Sequence, residues 1–213
     1  MKRREVHLAA ARGFELGAQT YARGRPDFPQ ALDSWLCDSL QLGAGRTVLD
    51  LGAGTGKMTR LLVQTGADVI AAEPVDSMRA ILVRDLPAVR ALRATAQNLP
   101  LADASLDAVV CAQAFHWFAT REALAEIRRV LKPGGRLLIV DMAPHDHEEY
   151  RQQMGHVWLG FSEAQIQRWL ADAGFEPARV FPLPPAGDAK GPALFAAATT
   201  SPNLQVTKSP NSS

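Results

Sequence analysis

The chain alternates between short apolar runs and segments in which apolar residues recur every three or four positions. Apolar runs bounded by Gly, Pro or Asp are typical of buried strands, and the longer spacing is typical of amphipathic helices. Strands are predicted at 47–51, 68–73, 89–93, 106–111, 136–141, 175–183 and 193–199. Helices are predicted at 30–41, 57–64, 76–85, 120–131 and 162–173, with Asp76 and Ser162 as N-caps.

This order of elements predicts an α/β fold with a Rossmann-like, doubly wound sheet of seven strands. Continuous apolar strands are typical of parallel sheets that helices cover on both faces. No helix is predicted between the last two strands, so a hairpin there would make the last strand antiparallel in a mostly parallel sheet. The domain is predicted at 30–200, after an N-terminal arm at 1–29 and before a disordered Ser/Pro/Asn-rich tail at 201–213.

Composition narrows the class of partner. The chain has 213 residues, 47% of them hydrophobic, and a formal net charge of +1. A nearly neutral protein has little attraction for nucleic acid or acidic membranes, so a small-molecule partner is expected, with the protein a monomer or a homodimer. Cys37 and Cys111 lie in apolar runs, and no run of about 18 apolar residues exists, so a cytoplasmic location without a membrane span is predicted.

A glycine loop follows the first predicted strand, in the order Asp50, Leu51, Gly52, Ala53, Gly54, Thr55, Gly56. Alternating glycines let a backbone turn tightly and approach a ligand closely. A phosphate loop would need Ser or Thr after Lys57, and a dinucleotide loop has its third glycine one position later. Asp50 could hold a cationic amino-acid group and Glu73 could accept the hydroxyls of a ribose. These acids favour an adenosyl amino acid over a nucleotide phosphate.

Five segments resemble the motifs of class I S-adenosylmethionine (SAM)-dependent methyltransferases of type 11, and their order and spacing match that family: 48–56, Glu73 and Pro74 with Met78, 94–100, 107–110 and 131–135. The resemblance implies that Asp50, Gly52, Ala53 and Gly54 line the methionine part of SAM. It places Glu73 on the ribose, with Pro74 beside it, and Met78 on the adenine face. The remaining implied contacts are Thr95, Ala96 and Gln97 at the adenine edge, and Gln113 near the SAM carboxylate. Thr95 stands where Asp is frequent in the family.

Two further segments resemble the ubiquinone/menaquinone-biosynthesis branch of that family. Residues 21–26 resemble an arm in which Tyr21 and Arg25 would cover the methionine end of SAM, although a solvated arm with one anchoring Tyr is the alternative. Residues 114–118 place Phe115, His116 and Trp117 after the fourth strand. They could form an acceptor wall with His116 as general base, or a hydrophobic plug around a hydrogen-bonded His.

The segment after the fifth strand resembles the methyltransferase half of arsenical-repressor-type fusion regulators. His145 and His147 lie two residues apart with no further ligand set in view, so no metal site is predicted. His156 is a second candidate base and Trp158 a second acceptor-side candidate, against the alternative of a packed loop.

Together these features predict a methyltransferase that moves a methyl group from SAM to a small-molecule acceptor, with O or C favoured over N as the target atom. The alternatives are a SAM-binding regulatory protein without turnover and, with less support, an RNA methyltransferase. No Asn/Asp-Pro-Pro-aromatic motif, as carried by base-amino methylases, follows the fourth strand, where 112–118 stands instead.

Overall fold

The computed structural model describes residues 32–148, 151, 157–184 and 191–203. Seven strands form one sheet in the order β3-β2-β1-β4-β5-β7-β6. Their bounds are β1 Thr47–Leu51, β2 Asp68–Ala72, β3 Arg90–Leu92, β4 Leu106–Ala112, β5 Leu131–Met142, β6 Arg179–Leu183 and β7 Leu194–Thr200. Strands β1 to β5 pair in parallel, whereas β7 is antiparallel to both β5 and β6. The predicted fold class is therefore confirmed, with β7 as the antiparallel last strand.

Helices cover both faces of the sheet. They are α1 Leu32–Leu40, α2 Lys57–Gln64, α3 Asp76–Asp85, α4 Phe115–Phe118, α5 Arg121–Val130 and α6 Glu163–Asp172. Successive strand side chains point to opposite faces, so Leu49 joins a core with α5 and α6 while Val48 joins a core with α1 and α2. None of the helices in the described ranges is long and apolar enough to cross a membrane.

The parallel topology collects the loops of the site at one edge. Because β1, β2, β4 and β5 run in the same direction, their carboxyl ends meet there. These ends are Leu51, Ala72, Ala112 and Met142. The segments that follow them carry the glycine loop, Glu73, Gln113 and the residues after β5, so residues distant in the sequence become neighbours.

The structure differs from the predicted elements at several points. Strand β6 begins at Arg179, four residues after the predicted start at residue 175. Val75, not Asp76, is the N-cap of α3, and Asp76 is the first helical residue. Strand β5 begins at Leu131 because Leu131 pairs with Leu106 across an irregular register, ahead of the predicted start at residue 136. The short helix α4 has no counterpart among the predicted elements. Ser162 does cap α6, where its hydroxyl accepts the backbone N–H of Gln165.

Candidate cofactor and acceptor site

The glycine loop turns at the carboxyl end of β1. Gly52, Gly54 and Gly56 all have positive φ, at 76°, 57° and 90°, a region that glycine adopts without a Cβ penalty. The backbone N–H groups of Gly52 and Ala53 both donate to the carbonyl of Ala72, at 2.9 and 3.1 Å. These bonds fasten the start of the loop to the end of β2.

Gly52 is also required by close packing. A Cβ placed on Gly52 would lie 2.6 Å from the Cβ of Ala114 and 3.3 Å from the ring of Phe118. Ala114 and Phe118 come from the segment after β4, so the two segments touch where the cofactor is expected. A side chain at Gly52 would separate them or distort the loop.

Glu73 is buried at the carboxyl end of β2 and points into the loop. Its Oε2 accepts the backbone N–H of Gly54 and its Oε1 accepts that of Val75, both at 2.8 Å. Burial raises the pKa of Glu73, and the two backbone hydrogen bonds and Arg79 act in the opposite direction. The carboxylate is thus held in one orientation beside the glycine loop.

Met78 lies next to Gly54 of the glycine loop. It is buried on α3, and a Cβ placed on Gly54 would be 3.9 Å from its sulfur. Ala53 is buried too, whereas Pro74 is exposed. Met78 therefore places an apolar side chain next to the glycine loop.

Asp50 is fully enclosed below the loop. The hydroxyl of Thr59 on α2 donates to its Oδ2 at 2.6 Å. Burial raises the pKa of Asp50 to about 7, the Thr59 hydrogen bond lowers it, and the nearby charge of Glu73 raises it further. Two buried acids therefore give this edge of the sheet a preference for a cationic ligand.

The loop after β3 carries the predicted adenine-edge residues. Thr95 and Gln97 are exposed and Ala96 is buried, and the backbone N–H of Asn98 donates to the carbonyl of Thr95 at 3.1 Å. Glu126 on α5 accepts the N–H of Leu99 at 2.8 Å. Arg129 donates to the carbonyls of Leu99 and Leu101 at 3.1 and 2.9 Å.

These two α5 residues were not predicted as part of the site. They form a salt bridge at 2.8 Å and fix the end of the adenine-edge loop. Their spacing of three on a helix is a visible sequence signal for the ion pair, but not for the loop that it holds.

The segment after β4 turns sharply back toward the glycine loop. Gln113 has φ 50°, unusual for a residue with a side chain, and its N–H donates to the carbonyl of Val140 at 2.6 Å. Phe115 is buried against Phe161, with ring centroids 5.4 Å apart. Trp117 is half-buried, so of the two predicted acceptor-side aromatics in this segment only Trp117 keeps an accessible surface.

His116 is enclosed and paired with Asp141. Its Nδ1 lies 2.9 Å from Oδ1 and 3.1 Å from Oδ2 of Asp141, and the backbone N–H of His116 donates to Oδ2 at 3.1 Å. Asp141 was not among the predicted site residues. A charged residue that closes the apolar run 137–140 was the available signal.

The remaining candidates separate into two groups. Trp158 is partly buried and packs edge-on against Trp169, with ring centroids 5.0 Å apart, as expected of a packed loop. Tyr21, Arg25 and His156 lie outside the described residues, as do the arm 1–29 and the tail from 204 onward.

Comparisons with known proteins match this chain to methyltransferases. Residues 49–139 match the family model described as "Methyltransferase domain". An uncharacterized methyltransferase of Mycobacterium tuberculosis is 43% identical over 155 residues, which cover 73% of this chain and 60% of the relative. The demethylmenaquinone methyltransferase of Thermus thermophilus is 42% identical over 108 residues, which cover 47% of this chain and 49% of that protein.

A solved structure extends the likeness to most of the chain. The Thermotoga maritima protein described as a SAM-dependent methyltransferase and possible histamine N-methyltransferase matches with a TM-score of 0.66 and 26% identity, over 90% of this chain and 99% of that one. Together with the sheet order and the glycine loop, these matches show that residues 49–139 belong to a methyltransferase domain of the class I SAM-dependent type. The chain spans 60% of the mycobacterial relative's length and about half of the Thermus relative's length.

Proposed function

We propose that this protein binds SAM at the carboxyl edge of β1 and β2 and transfers its methyl group to a small-molecule acceptor in the cytoplasm. The observation that carries the proposal is the buried carboxylate of Glu73, which is hydrogen-bonded to the backbone of the glycine loop. The family membership supports the same reading.

The hydrogen bonds of Glu73 leave room for a ribose. A carboxylate has about four lone-pair positions, and the N–H groups of Gly54 and Val75 occupy one on each oxygen. The second position on each oxygen can accept one hydroxyl of a vicinal diol. The backbone donors fix the plane of the carboxylate, so both hydroxyls of a ribose can be accepted together.

Charge favours SAM over a nucleotide phosphate at this loop. Asp50 and Glu73 are both buried beside it, and each raises the cost of placing a phosphate there. SAM instead carries a sulfonium and an ammonium group, which these acids would attract. Met78 offers an apolar surface to adenine on the other side of Gly54.

The chemistry needs alignment more than activation. A nucleophilic O or C atom of the acceptor attacks the methyl carbon in line with its bond to sulfur. The C–S bond breaks, its electron pair stays on sulfur, and S-adenosylhomocysteine (SAH) leaves. The acceptor's proton passes to a base, for which His116 and His156 are the proposed groups. Tyr21 and Arg25 are proposed to cover the methionine end, and Trp117 and Trp158 to line the acceptor side.

Calorimetry with SAH tests the cofactor site directly. Glu73→Gln keeps the size of the side chain but loses its charge and half of its acceptor capacity. We expect SAH affinity to fall by about 10- to 100-fold, the range for a lost hydrogen bond to a charged group. Glu163→Gln, an exposed change in the first turn of α6, is the control and should bind like the wild type.

Equal SAH affinity in Glu73→Gln and the wild type would contradict the proposed site. Radiolabelled methyl transfer from SAM to a panel of small hydroxyl and carbon acids then tests turnover. SAH binding without transfer to any acceptor would favour the SAM-binding regulatory alternative.

A further inference from the structure

The carboxylate of Asp141 lies at the carboxyl end of β5 with 0% of its surface exposed. It receives hydrogen bonds from the Nδ1 ring nitrogen of His116, from the backbone N–H of His116 and, at 2.8 Å, from the backbone N–H of Met142. A buried carboxylate is costly unless donors surround it, and these three donors offset that cost for Asp141.

Two of these three donors belong to one residue of the segment after β4. The side chain of Asp141 therefore clamps both the backbone and the ring of His116 to the end of β5. Nearby, the N–H of Gln113 donates to the carbonyl of Val140 at 2.6 Å while Gln113 has a φ of 50°. The bond to Val140 holds Gln113 itself in this conformation, and the bonds from His116 to Asp141 hold the segment three residues further on.

The clamped segment bears directly on the glycine loop. The Cβ of Ala114 and the ring of Phe118 occupy the space where any side chain at position 52 would lie, 2.6 and 3.3 Å from it. On its other side, the segment is packed through Phe115 against Phe161, with ring centroids 5.4 Å apart. The segment thus fills the gap between the fifth strand and the cofactor loop.

We propose that Asp141 is a positioning residue that acts through His116 and holds residues 113–118 against Gly52, thereby fixing the glycine loop in its cofactor-binding conformation. This inference rests on the proposed function for its consequence, which is SAM affinity. Its structural content is independent, because loop order can be measured without a cofactor.

The chain provides a matched control. Asp107 is also a buried strand carboxylate with three donors, namely Arg46 Nη1, Thr47 N and Lys132 Nζ at 2.8, 2.9 and 2.8 Å. It lies at the start of β4, at the opposite edge of the sheet from the glycine loop. Asp107→Asn and Asp141→Asn therefore both remove a buried charge, but only Asp141→Asn touches the clamp.

The decisive readout is amide hydrogen exchange in the cofactor-free protein. We expect Asp141→Asn to speed exchange in 113–118 and also in 52–56, where Gly52 and Ala53 report on the loop through their bonds to Ala72. Asp107→Asn should leave 52–56 unchanged. Loop exchange that is the same in both variants would overturn the inference.

SAH calorimetry measures the functional consequence. Asp141→Asn should weaken SAH binding about tenfold or more, whereas Asp107→Asn should stay within about twofold of the wild type. If the wild type itself fails to bind SAH, the proposed function is overturned, while the exchange experiment still decides the role of Asp141. Normal SAH affinity in a folded Asp141→Asn variant would overturn the inference alone.

A measurement without any substitution covers the case in which Asp141→Asn does not fold. With Asp141 ionised, the contact requires a proton on Nδ1 of His116, because a carboxylate only accepts. A nitrogen–proton correlation spectrum of the histidine rings in the wild-type protein should show a hydrogen-bonded proton on Nδ1 of His116. A nitrogen shift of Nδ1 typical of an imidazole nitrogen without any hydrogen bond would overturn the clamp.

Discussion

At the scale of single residues, the charge of the cofactor edge comes from Asp50 and Glu73, which burial makes harder to ionise than exposed acids. Asp50 carries a pKa of about 7 in the native protein against 3.8 for an ordinary Asp side chain. Because the raised pKa means that the folded, ligand-free protein prefers the neutral carboxyl group, protonation of Asp50 stabilises the fold. This stabilisation is fully present below pH 3.8 and is lost as the pH rises through about 7.

The affinity for a cationic ligand depends on pH in the opposite direction from the stability of the fold. A cationic ligand favours the ionised form of Asp50, so SAM affinity should rise with pH as the carboxyl group loses its proton. We expect a gain of roughly eightfold between pH 6 and pH 7.5, from the ionised fraction of a group that titrates near 7. Calorimetry across this range checks the gain, and Asp50→Asn should show a smaller slope. If SAM affinity changes with pH equally in Asp50→Asn and in the wild type, the ionisation of Asp50 is not coupled to SAM binding.

Gly52 illustrates how one residue type serves both the backbone and the packing. Its φ of 76° matches the φ of 78° at Gly45, but a Cβ on Gly45 would meet nothing within 4 Å. An alanine at position 45 therefore introduces backbone strain alone, whereas an alanine at position 52 introduces backbone strain and a steric clash.

Gly45→Ala should cost about 1–2 kcal/mol of unfolding free energy, the penalty of a left-handed conformation. Gly52→Ala should cost about 1–3 kcal/mol more, because overpacking against Ala114 adds to the strain, and it should also abolish SAH binding. Urea denaturation and SAH calorimetry measure both effects. Equal stability and equal SAH affinity in the two variants would show that the close approach to Ala114 has no role.

At the scale of elements, apolar patterning predicts the strands and helices whose signals are local. Strand β1 and helix α2 are observed with the predicted bounds because an apolar run, a glycine loop and a helical repeat follow one another without interruption. Helix α4 is only four residues long and has no repeat to detect. The predicted cap of α3 was wrong because Asp76 is already helical, and its carboxylate pairs with Arg79 instead of accepting a backbone N–H.

In the site, too, contacts within a short motif could be predicted, whereas contacts between residues far apart in the sequence could not. Gly52, Gly54 and Glu73 lie on a short motif, so their association can be predicted from spacing. The clamp joins residues 25 positions apart, and Glu126 holds Leu99 from 27 positions away. Such pairs depend on sheet order and helix placement, which hydrophobic periodicity does not encode.

At the scale of the whole molecule, the order of strands explains why function concentrates at one edge. Placing β1 between β2 and β4 puts the glycine loop between Glu73 and the segment after β4. Placing β5 next to β4 brings Asp141 within reach of His116. The cofactor loop is thus supported from both sides by neighbouring strands.

The opposite edge of the sheet is built differently. Asp107 is held there by Arg46 and Lys132. Burial raises the pKa of Asp107, but the hydrogen bonds from Lys132, from the backbone N–H of Thr47 and from Arg46 outweigh it and lower the pKa to about 2. Asp50 and Glu73, beside the glycine loop, have raised pKa values instead. Because the pKa of Asp107 is lowered at the amino edge and those of Asp50 and Glu73 are raised at the carboxyl edge, we expect a cationic ligand to bind at the carboxyl edge.

A crystal structure of the protein with SAH tests the proposed cofactor site most directly. We expect the ribose hydroxyls of SAH to donate to the Glu73 carboxylate, with adenine against Met78 and the homocysteine part over Gly52 and Gly54. SAH bound elsewhere, or bound with its ribose away from Glu73, would contradict it.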